Sequence, residues 1–447
     1  MAKPPPLRAT PSGELPIDRA LALVATSKAE DALRVAVPLA KSDLSAPAPL
    51  FVIGCALREL GDKTGAVAAL ETAADRASDS GNLPLAIASI ARLAEAGGEV
   101  AARVDYVAKA YAKGSTSLKA GGTSLPPPAP KEDVAALPAT LGGAPLVEQA
   151  TQIVDYARAA QDADREKSGG KPQVAPQVIF SSLSVPALSA LLPAFTVRIV
   201  PKGEKVIVQG APGAEAFVLA RGELEVIREQ DGEAPILLAR LGNGALFGEM
   251  ALLSRSPRAA SVVAARPCVV LEISVESLDA VAASSPEVGA TFASYCHRRM
   301  VANLVRTSPL LGPLSASERQ ALIERFSAKT FEAGDKLIVQ GKESDGLHVI
   351  ASGDVSVRRS DEEVVIAKLS VGEVVGEVSM IFRRPSNADV VADHPTMTLF
   401  LPRARFMEIV REHPTLLAQL YELAVHRDDE TQSIVAQEAS EADDLII

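Results

Sequence analysis

One segment of this chain is written twice. Residues 201–210 read PKGEKVIVQG and residues 332–341 read EAGDKLIVQG. Gly203 and Gly334 lie 131 residues apart, as do Gly222 and Gly353; Gly248 and Gly376 lie 128 apart. A helical stretch precedes each copy, at 180–195 and 310–326. A tandem duplication of a unit of about 125 residues commits more than half the chain to two copies of one fold.

Within each copy, short runs rich in Val, Ile and Leu alternate with Gly turns. VRIVPKGEKVIVQG, FVLARGELEVI, ILLARLGNGALFGE and VVLEISVES are the runs of the first. Such strands at regular spacing predict a β-roll of jelly-roll type.

The region before the copies has a helical period. Leu50, Ile53, Ala56, Leu57 and Leu60 form one face, and Ala66, Ala69, Leu70, Ala73 and Ala74 form another after the Gly61-Asp62 break. A further pair carries Leu85, Ile87, Ile90, Leu93 and Ala94, then Val100, Val104, Val107 and Tyr111 beyond Gly97-Gly98. Gly61 and Gly97 are 36 residues apart. That spacing resembles tetratricopeptide helix pairs, which repeat at about 34 residues, though the aromatic signature positions are lacking. The many Ala residues let helices approach closely, and a stack of hairpins also offers a groove for a protein partner.

The expected fold class is multidomain, α plus mainly β: N-terminal α-hairpin repeats, then two β-roll domains with flanking helices. The expected divisions are a helical domain at 1–113, a linker with one helix at 114–176, β-rolls at 177–305 and 306–430, and an acidic tail at 431–447. The linker stretch 114–145 is rich in Gly, Ser and Pro. Leu146, Ala150, Ile153, Ala157 and Ala160 line one face of the helix expected at 146–166.

Several functions are unsupported. With 45 Lys plus Arg against 56 Asp plus Glu, the net charge of −11 repels nucleic acid. No apolar run reaches the roughly 18 residues of a membrane span, and the opening MAKPPPLRATPSGELP lacks the apolar core of a secretory signal. A cytoplasmic protein is expected. Cys55, Cys268 and Cys296 are far apart and read as reduced core residues. His297, His348, His394, His413 and His426 form no metal-binding pair. There is no P-loop, kinase motif set or G-x-S-x-G, so no enzyme activity, cofactor or metal is expected.

The chemistry sits at 247–262, FGEMALLSRSPRAASV. Gly248 permits an unusual backbone angle. The turn from Glu249 to Leu253 presents unpartnered N–H groups. Arg258 follows Pro257 and suits bidentate contact with a phosphate. Ala259 and Ala260 keep the surface low, and Ser261 adds a hydroxyl. A Glu beside an Arg suits a singly charged cyclic phosphodiester on a sugar whose hydroxyls the Glu can accept.

This segment resembles the phosphate-binding cassette of the cyclic nucleotide-binding domain family, F-G-E-x-A-L-x-x-x-x-P-R-x-A-[ST]-V, at every fixed position. That family includes cAMP receptor proteins, cAMP-dependent kinase regulatory subunits and cyclic-nucleotide-gated channels. The resemblance implies that Gly248 and Glu249 bind the ribose 2′-hydroxyl and Arg258 the cyclic phosphate. Backbone N–H groups of Ala251 and Ala259 would complete the cradle, Leu252 would couple it to a mobile helix, and Ser261 would lie by the phosphate or base. Ala259 favours cAMP over cGMP. Tyr295, Arg298, Arg299 and Asn303 are candidates to cap the base, each also readable as part of a solvated helix face.

The second copy, VGEVSMIFRRPSNADV at 375–390, keeps Gly376, Glu377, Pro385 and Ala388. Ser386 replaces the phosphate Arg and Asp389 replaces Ser261, a carboxylate expected to repel phosphate. Arg383 and Arg384 precede the Pro; with Ser386 they read as a surface turn sooner than as a kinase site. This copy is expected not to bind cyclic nucleotide. The chain then reads as a cyclic-nucleotide sensor that relays a change to a protein partner through its N-terminal helices. The alternatives are a ligand-free scaffold or a regulatory subunit of a catalytic partner, the latter weakened by the lack of a basic pseudosubstrate run.

Overall fold

A computed structural model describes residues 15–119, 134–168, 172–229, 234–250, 252, 257–307, 325–359, 365–412, 417–418 and 420–428. Ala251, linker residues 120–133, most of the helix expected at 310–326 and the tail from 431 lie outside the described residues.

The chain forms two compact units. The first holds the described residues up to Val208, with Ala216–Phe247 and Ala260–Thr291. The second holds Gln209–Glu215, Gly248–Ala259 and the described residues from Phe292 onward. The boundary expected between the β-rolls was 305/306; in the folded chain the long helix across that point passes from one unit to the other after Thr291.

In the first unit, α1 (Pro16–Ala25), α2 (Ala29–Ser42), α3 (Pro47–Glu59), α4 (Lys63–Asp79), α5 (Leu83–Glu95) and α6 (Ala101–Tyr111) pack each against the next. Polar caps set the starts of α4 and α5: Asp62 accepts from the Gly65 N–H at 2.9 Å and Asn82 from that of Leu85 at 3.2 Å. Most of the expected face residues are buried, from Leu50 and Ile53 to Leu93 and Tyr111, while Val100 is half-buried and Ala94 exposed. Leu60 is exposed because it caps α3 instead of continuing it.

The helix expected at 146–166 is α7 (Gly143–Ser168), and it buries Leu146, Ala150, Ile153 and Ala157. It packs on α2 and α4, so this part of the expected linker belongs to the helical core. The approach to it is fastened too. The Leu137 N–H donates to the Arg34 carbonyl at 2.8 Å, and Arg34 Nε donates to the Leu141 carbonyl at 2.7 Å.

Short α8 (Val185–Leu191) leads into the first β-roll. Its strands are β1 (Thr196–Val200), β2 (Lys205–Ile207), β3 (Glu215–Arg221), β4 (Leu224–Arg228), β5 (Ile236–Leu241), β6 (Leu246–Phe247), β7 (Ser261–Ala264) and β8 (Cys268–Ser274). They make two four-stranded sheets, ordered β1-β8-β3-β6 and β2-β7-β4-β5. Val206, Phe217, Leu219, Leu224, Phe247, Val262 and Val270 fill the space between. The helix α9 (Val275–Ser284) follows, and then α10 (Pro286–Thr307).

The helices of this unit are tied to its strands by charge. Arg266, in the turn before β8, donates through Nε to Asp18 of α1 at 2.7 Å, and Arg221 lies 4.0 Å from the same carboxylate. Arg92 of α5 donates to the Val197 carbonyl at 3.0 Å. Asp18 is 2% exposed, so these partners meet a carboxylate that water scarcely reaches.

The second β-roll repeats the first. Its strands are β9 (Ser327–Phe331), β10 (Lys336–Ile338), β11 (Gly346–Ser352), β12 (Val355–Arg358), β13 (Val365–Leu369), β14 (Val374–Val375), β15 (Asp389–Ala392) and β16 (Thr396–Pro402). The sheets run β9-β16-β11-β14 and β10-β15-β12-β13, the same order copy for copy. Between β14 and β15 lies α11 (Glu377–Phe382); α12 (Arg403–Glu412) and helical residues 420–428 follow. The structure thus has the expected architecture of helices followed by two antiparallel β-rolls.

Candidate functional site

The cassette of the first copy begins where β6 ends. Gly248 takes φ +71°, a left-handed angle that a side chain disfavours, and turns the chain out of the sheet. Glu249 follows directly and is 4% exposed. Its carbonyl accepts from the Leu252 N–H at 3.1 Å, which begins the short turn expected there.

Ten residues later the chain brings an arginine back. Arg258 is 8% exposed, and its Nη1 donates to the Gly248 carbonyl at 2.8 Å. Its Nη2 donates to the Glu215 carbonyl at 2.9 Å and to Glu215 Oε2 at 3.0 Å. The backbone is held as well: Arg258 N–H donates to Ala211 at 3.0 Å, and Gly210 N–H donates to Arg258 at 2.8 Å. The guanidinium lies so close over Gly213 that an added Cβ would sit 2.1 Å from Arg258 Nε. Residues 209–215 therefore form a socket of backbone around this side chain. Glu215 is not among the site residues expected from the sequence; it lies 43 residues from its partner, with no spacing signal to join them.

Glu249 is held from the long helix. Arg299 of α10 approaches its Oε1 through Nε at 3.2 Å, and the Cys296 thiol lies 3.5 Å from its carbonyl oxygen. Of the residues considered as base caps, Arg299 meets the cassette glutamate. Arg298 donates to Ser294 of its own helix at 2.8 Å. Tyr295 is buried, and burial raises its phenol above the ordinary range. The Asn303 side chain lies outside the described residues. Ala259 is exposed. Ser261 opens β7 in the first unit, where its hydroxyl donates to Glu229 at 3.2 Å. A hydrogen bond from Lys205 lowers the Glu229 carboxyl.

The second cassette keeps part of this plan. Gly376 has φ +93° and Glu377 is 2% exposed. Arg427, 128 residues after Arg299, donates through Nη1 to Glu377 Oε1 at 2.8 Å. The position of Arg258 holds Ser386, whose hydroxyl donates to the Ala388 carbonyl at 2.8 Å. The position of Glu215 holds Gly346, so the cation and its counter-ion are absent together. Asp389, the carboxylate expected to repel phosphate, has partners in the fold. Lys336 donates to its Oδ2 at 2.6 Å and the Gln340 N–H to its Oδ1 at 2.8 Å. Lys336 is the counterpart of Lys205, which meets Glu229 in the first copy, so each roll gives this lysine a carboxylate from a different position.

A cavity of about 590 Å³ lies within the second β-roll, between this cassette and helical residues 420–428. Among the described residues no group of His, Cys, Asp and Glu could hold a metal ion, and no helix is long and apolar enough to cross a membrane.

Residues 197–285 and 328–413 each match the family model of the cyclic nucleotide-binding domain. The chain is 31% identical over 214 residues to a cAMP-dependent protein kinase regulatory subunit of Yarrowia lipolytica. It is 30% identical over 217 residues to the type II regulatory subunit of Drosophila melanogaster. Each match covers 48% of this chain and 54% of the relative, so the chain spans about half the length of the relatives it matches. Among solved structures it is similar to the regulatory domain of Toxoplasma gondii PKA with cAMP, at 23% identity. That match covers 56% of this chain and 92% of the other, with a TM-score of 0.28.

Proposed function

We propose that this chain, which carries two cyclic nucleotide-binding domains in tandem, is a cAMP sensor whose first cassette takes the ligand. The observation that carries this reading is the state of Arg258. A buried guanidinium costs several kcal/mol unless an anion and hydrogen-bond acceptors meet it. Here the acceptors are two backbone carbonyls, and the anion is Glu215, whose side chain is 37% exposed. A cyclic phosphate entering the cassette would take over from that half-exposed carboxylate. The buried Glu249 would accept from the ribose 2′-hydroxyl, with Gly248 giving the close approach. The N–H groups of Ala251 and Ala259 would complete the cradle, and Leu252 would report its closure. Ala259 after the arginine favours cAMP over cGMP.

Binding would favour one of two conformations through differential affinity. The cassette runs by chain into β7 and the turn that carries Arg266, which is paired with Asp18 of α1. Through that route the helical hairpins would change how they present themselves to a protein partner, in the manner of tetratricopeptide-like repeats. The similarity to two kinase regulatory subunits supports a regulatory role with a catalytic partner, and so a protein that is not itself an enzyme.

The test is direct titration of the purified chain with cAMP and cGMP by calorimetry, with Arg258→Ala as control. The expected result is saturable cAMP binding, weaker cGMP binding, and a loss of about 2–5 kcal/mol in the variant, as for truncating a buried charge pair. Binding unchanged in Arg258→Ala, or none of either nucleotide, would leave the chain as a scaffold of interaction modules.

A further inference from the structure

The second β-roll has lost the phosphate arginine yet keeps a built cavity at the same place, and the cavity differs in one chemical respect. Glu377 and Gly376 line it, occupying the positions of Glu249 and Gly248. Ser386 lines it where Arg258 would stand. The acceptor suited to sugar hydroxyls is retained while the anion-binding group is gone.

The charge of the lining points the same way. Glu373, Glu377 and Asp428 supply three carboxylates to the lining, against the guanidinium of Arg427 and the imidazole of His426. Arg427 is committed to Glu377 at 2.8 Å, to Glu373 at 3.4 Å and to the Val374 carbonyl. Asp428 accepts from Asn387 at 3.2 Å and from Arg384. A phosphate here would meet surplus negative charge in a site of reduced dielectric, where repulsion is strong. Apart from Ser379, Asn387 and His426 the remaining wall is apolar: Ile338, Ile366, Ala367, Leu369 and Val390 come from the sheets and Leu423 from the last helical segment. The volume of about 590 Å³ falls in the range of small-molecule sites, roughly 300–1,000 Å³.

We propose that this cavity takes an uncharged nucleoside: a flat heterocycle against the apolar wall and a ribose whose hydroxyls donate to Glu377. A nucleoside is a nucleotide without the group this site has no means to hold. The helical segment that supplies Leu423 and Arg427 forms one side of the cavity, so occupancy would order it. The inference stands on the second roll alone and does not require the first to bind cAMP.

The experiment is calorimetric titration of the full chain and of its Arg258→Ala variant with adenosine, guanosine and cAMP. One nucleoside site per chain is expected in both proteins. In the variant, cAMP should bind at least about tenfold more weakly than the better nucleoside. Two further changes are made in the Arg258→Ala background. Ala367→Trp fills the cavity and should abolish the nucleoside signal, with circular dichroism reporting the fold. Ser386→Arg restores a cation and should reverse the preference toward cAMP. Absence of heat with either nucleoside at millimolar concentration overturns the proposal. So does unchanged nucleoside binding in a folded Ala367→Trp chain, or equal binding of cAMP and nucleoside in Arg258→Ala. A wild-type chain that takes a nucleoside but ignores cAMP would instead overturn the sensor reading and leave this one standing.

Discussion

Arg299 lies with its Nε 3.2 Å from Oε1 of Glu249, and 128 residues later Arg427 stands 2.8 Å from Glu377 in the same way. The duplication has kept this pair in both copies while Arg258 and Glu215 are present in only one. The two pairs differ in exposure. Arg299 is 43% exposed and Arg427 is 19%, over carboxylates that are both nearly buried. Water screens the first pair, so Arg299→Ala should cost only about 1 kcal/mol of stability. Arg427→Ala removes the partner of a buried carboxylate and should cost about 3–5 kcal/mol. Urea denaturation of both variants checks the order, and equal losses would contradict it.

Glu215 competes for the arginine that the proposed ligand needs. Replacing it by Gln keeps the shape and removes the charge. Glu215→Gln should therefore raise cAMP affinity, opposite in sign to Arg258→Ala. The carboxylate is more than a third exposed, so the gain is discounted to about 1 kcal/mol, roughly fivefold. Competition binding measures it, and weakened binding would mean that Glu215 serves the bound state.

Asp18 joins α1 to the first β-roll through Arg266 and Arg221. Burial lowers the Arg221 pKa and the charge of Asp18 opposes that shift. Asp18→Ala would leave two arginines facing each other and should destabilise the unit by about 3 kcal/mol. Proteolysis should then open the chain near α1 first. Resistance equal to wild type would show that helix packing alone secures the contact.

His348 makes the second β-roll sensitive to acid. It is 1% exposed, between Phe331 and Phe400, and its Nδ1 lies 3.0 Å from the Thr398 hydroxyl. Burial, reinforced by the Lys329 charge, lowers its pKa from 6.5 to about 4. Above 6.5 it is neutral folded or unfolded, and stability is intact. Below that the unfolded chain takes up a proton that the folded chain refuses until about pH 4. Stability should fall across this window by about 3 kcal/mol. Denaturation at several pH values checks this, and His348→Gln should flatten the slope.

Cys55, Cys268 and Cys296 are buried, and desolvation pushes each thiol up to about 12. Thiolate is the reactive form. None should be alkylated by iodoacetamide in the native chain near pH 8, and all three should be in denaturant. Mass spectrometry counts the adducts, and rapid native labelling would contradict the packing.

Periodicity determined much of this protein. The repeat interval fixed two like domains, the strand runs fixed β-rolls, and the spacing of Leu50 to Tyr111 fixed the helices before them, because each depends on local pattern. Gly248, Glu249 and Arg258 were legible as candidates because they lie within one stretch of eleven residues. Their partners were not. Glu215, Arg299, Lys336 and Arg427 meet their carboxylates or guanidinium across 43 to 53 residues, and nothing in local spacing encodes such a meeting. The partner of Asp389 was hidden for that reason: only the folded sheet shows Lys336 beside it. The attachment of α7 to α2 and α4 was hidden likewise, since a helix period states which face is buried but not what covers it. Charge pairing and burial depend on distance in space, which only the tertiary structure supplies.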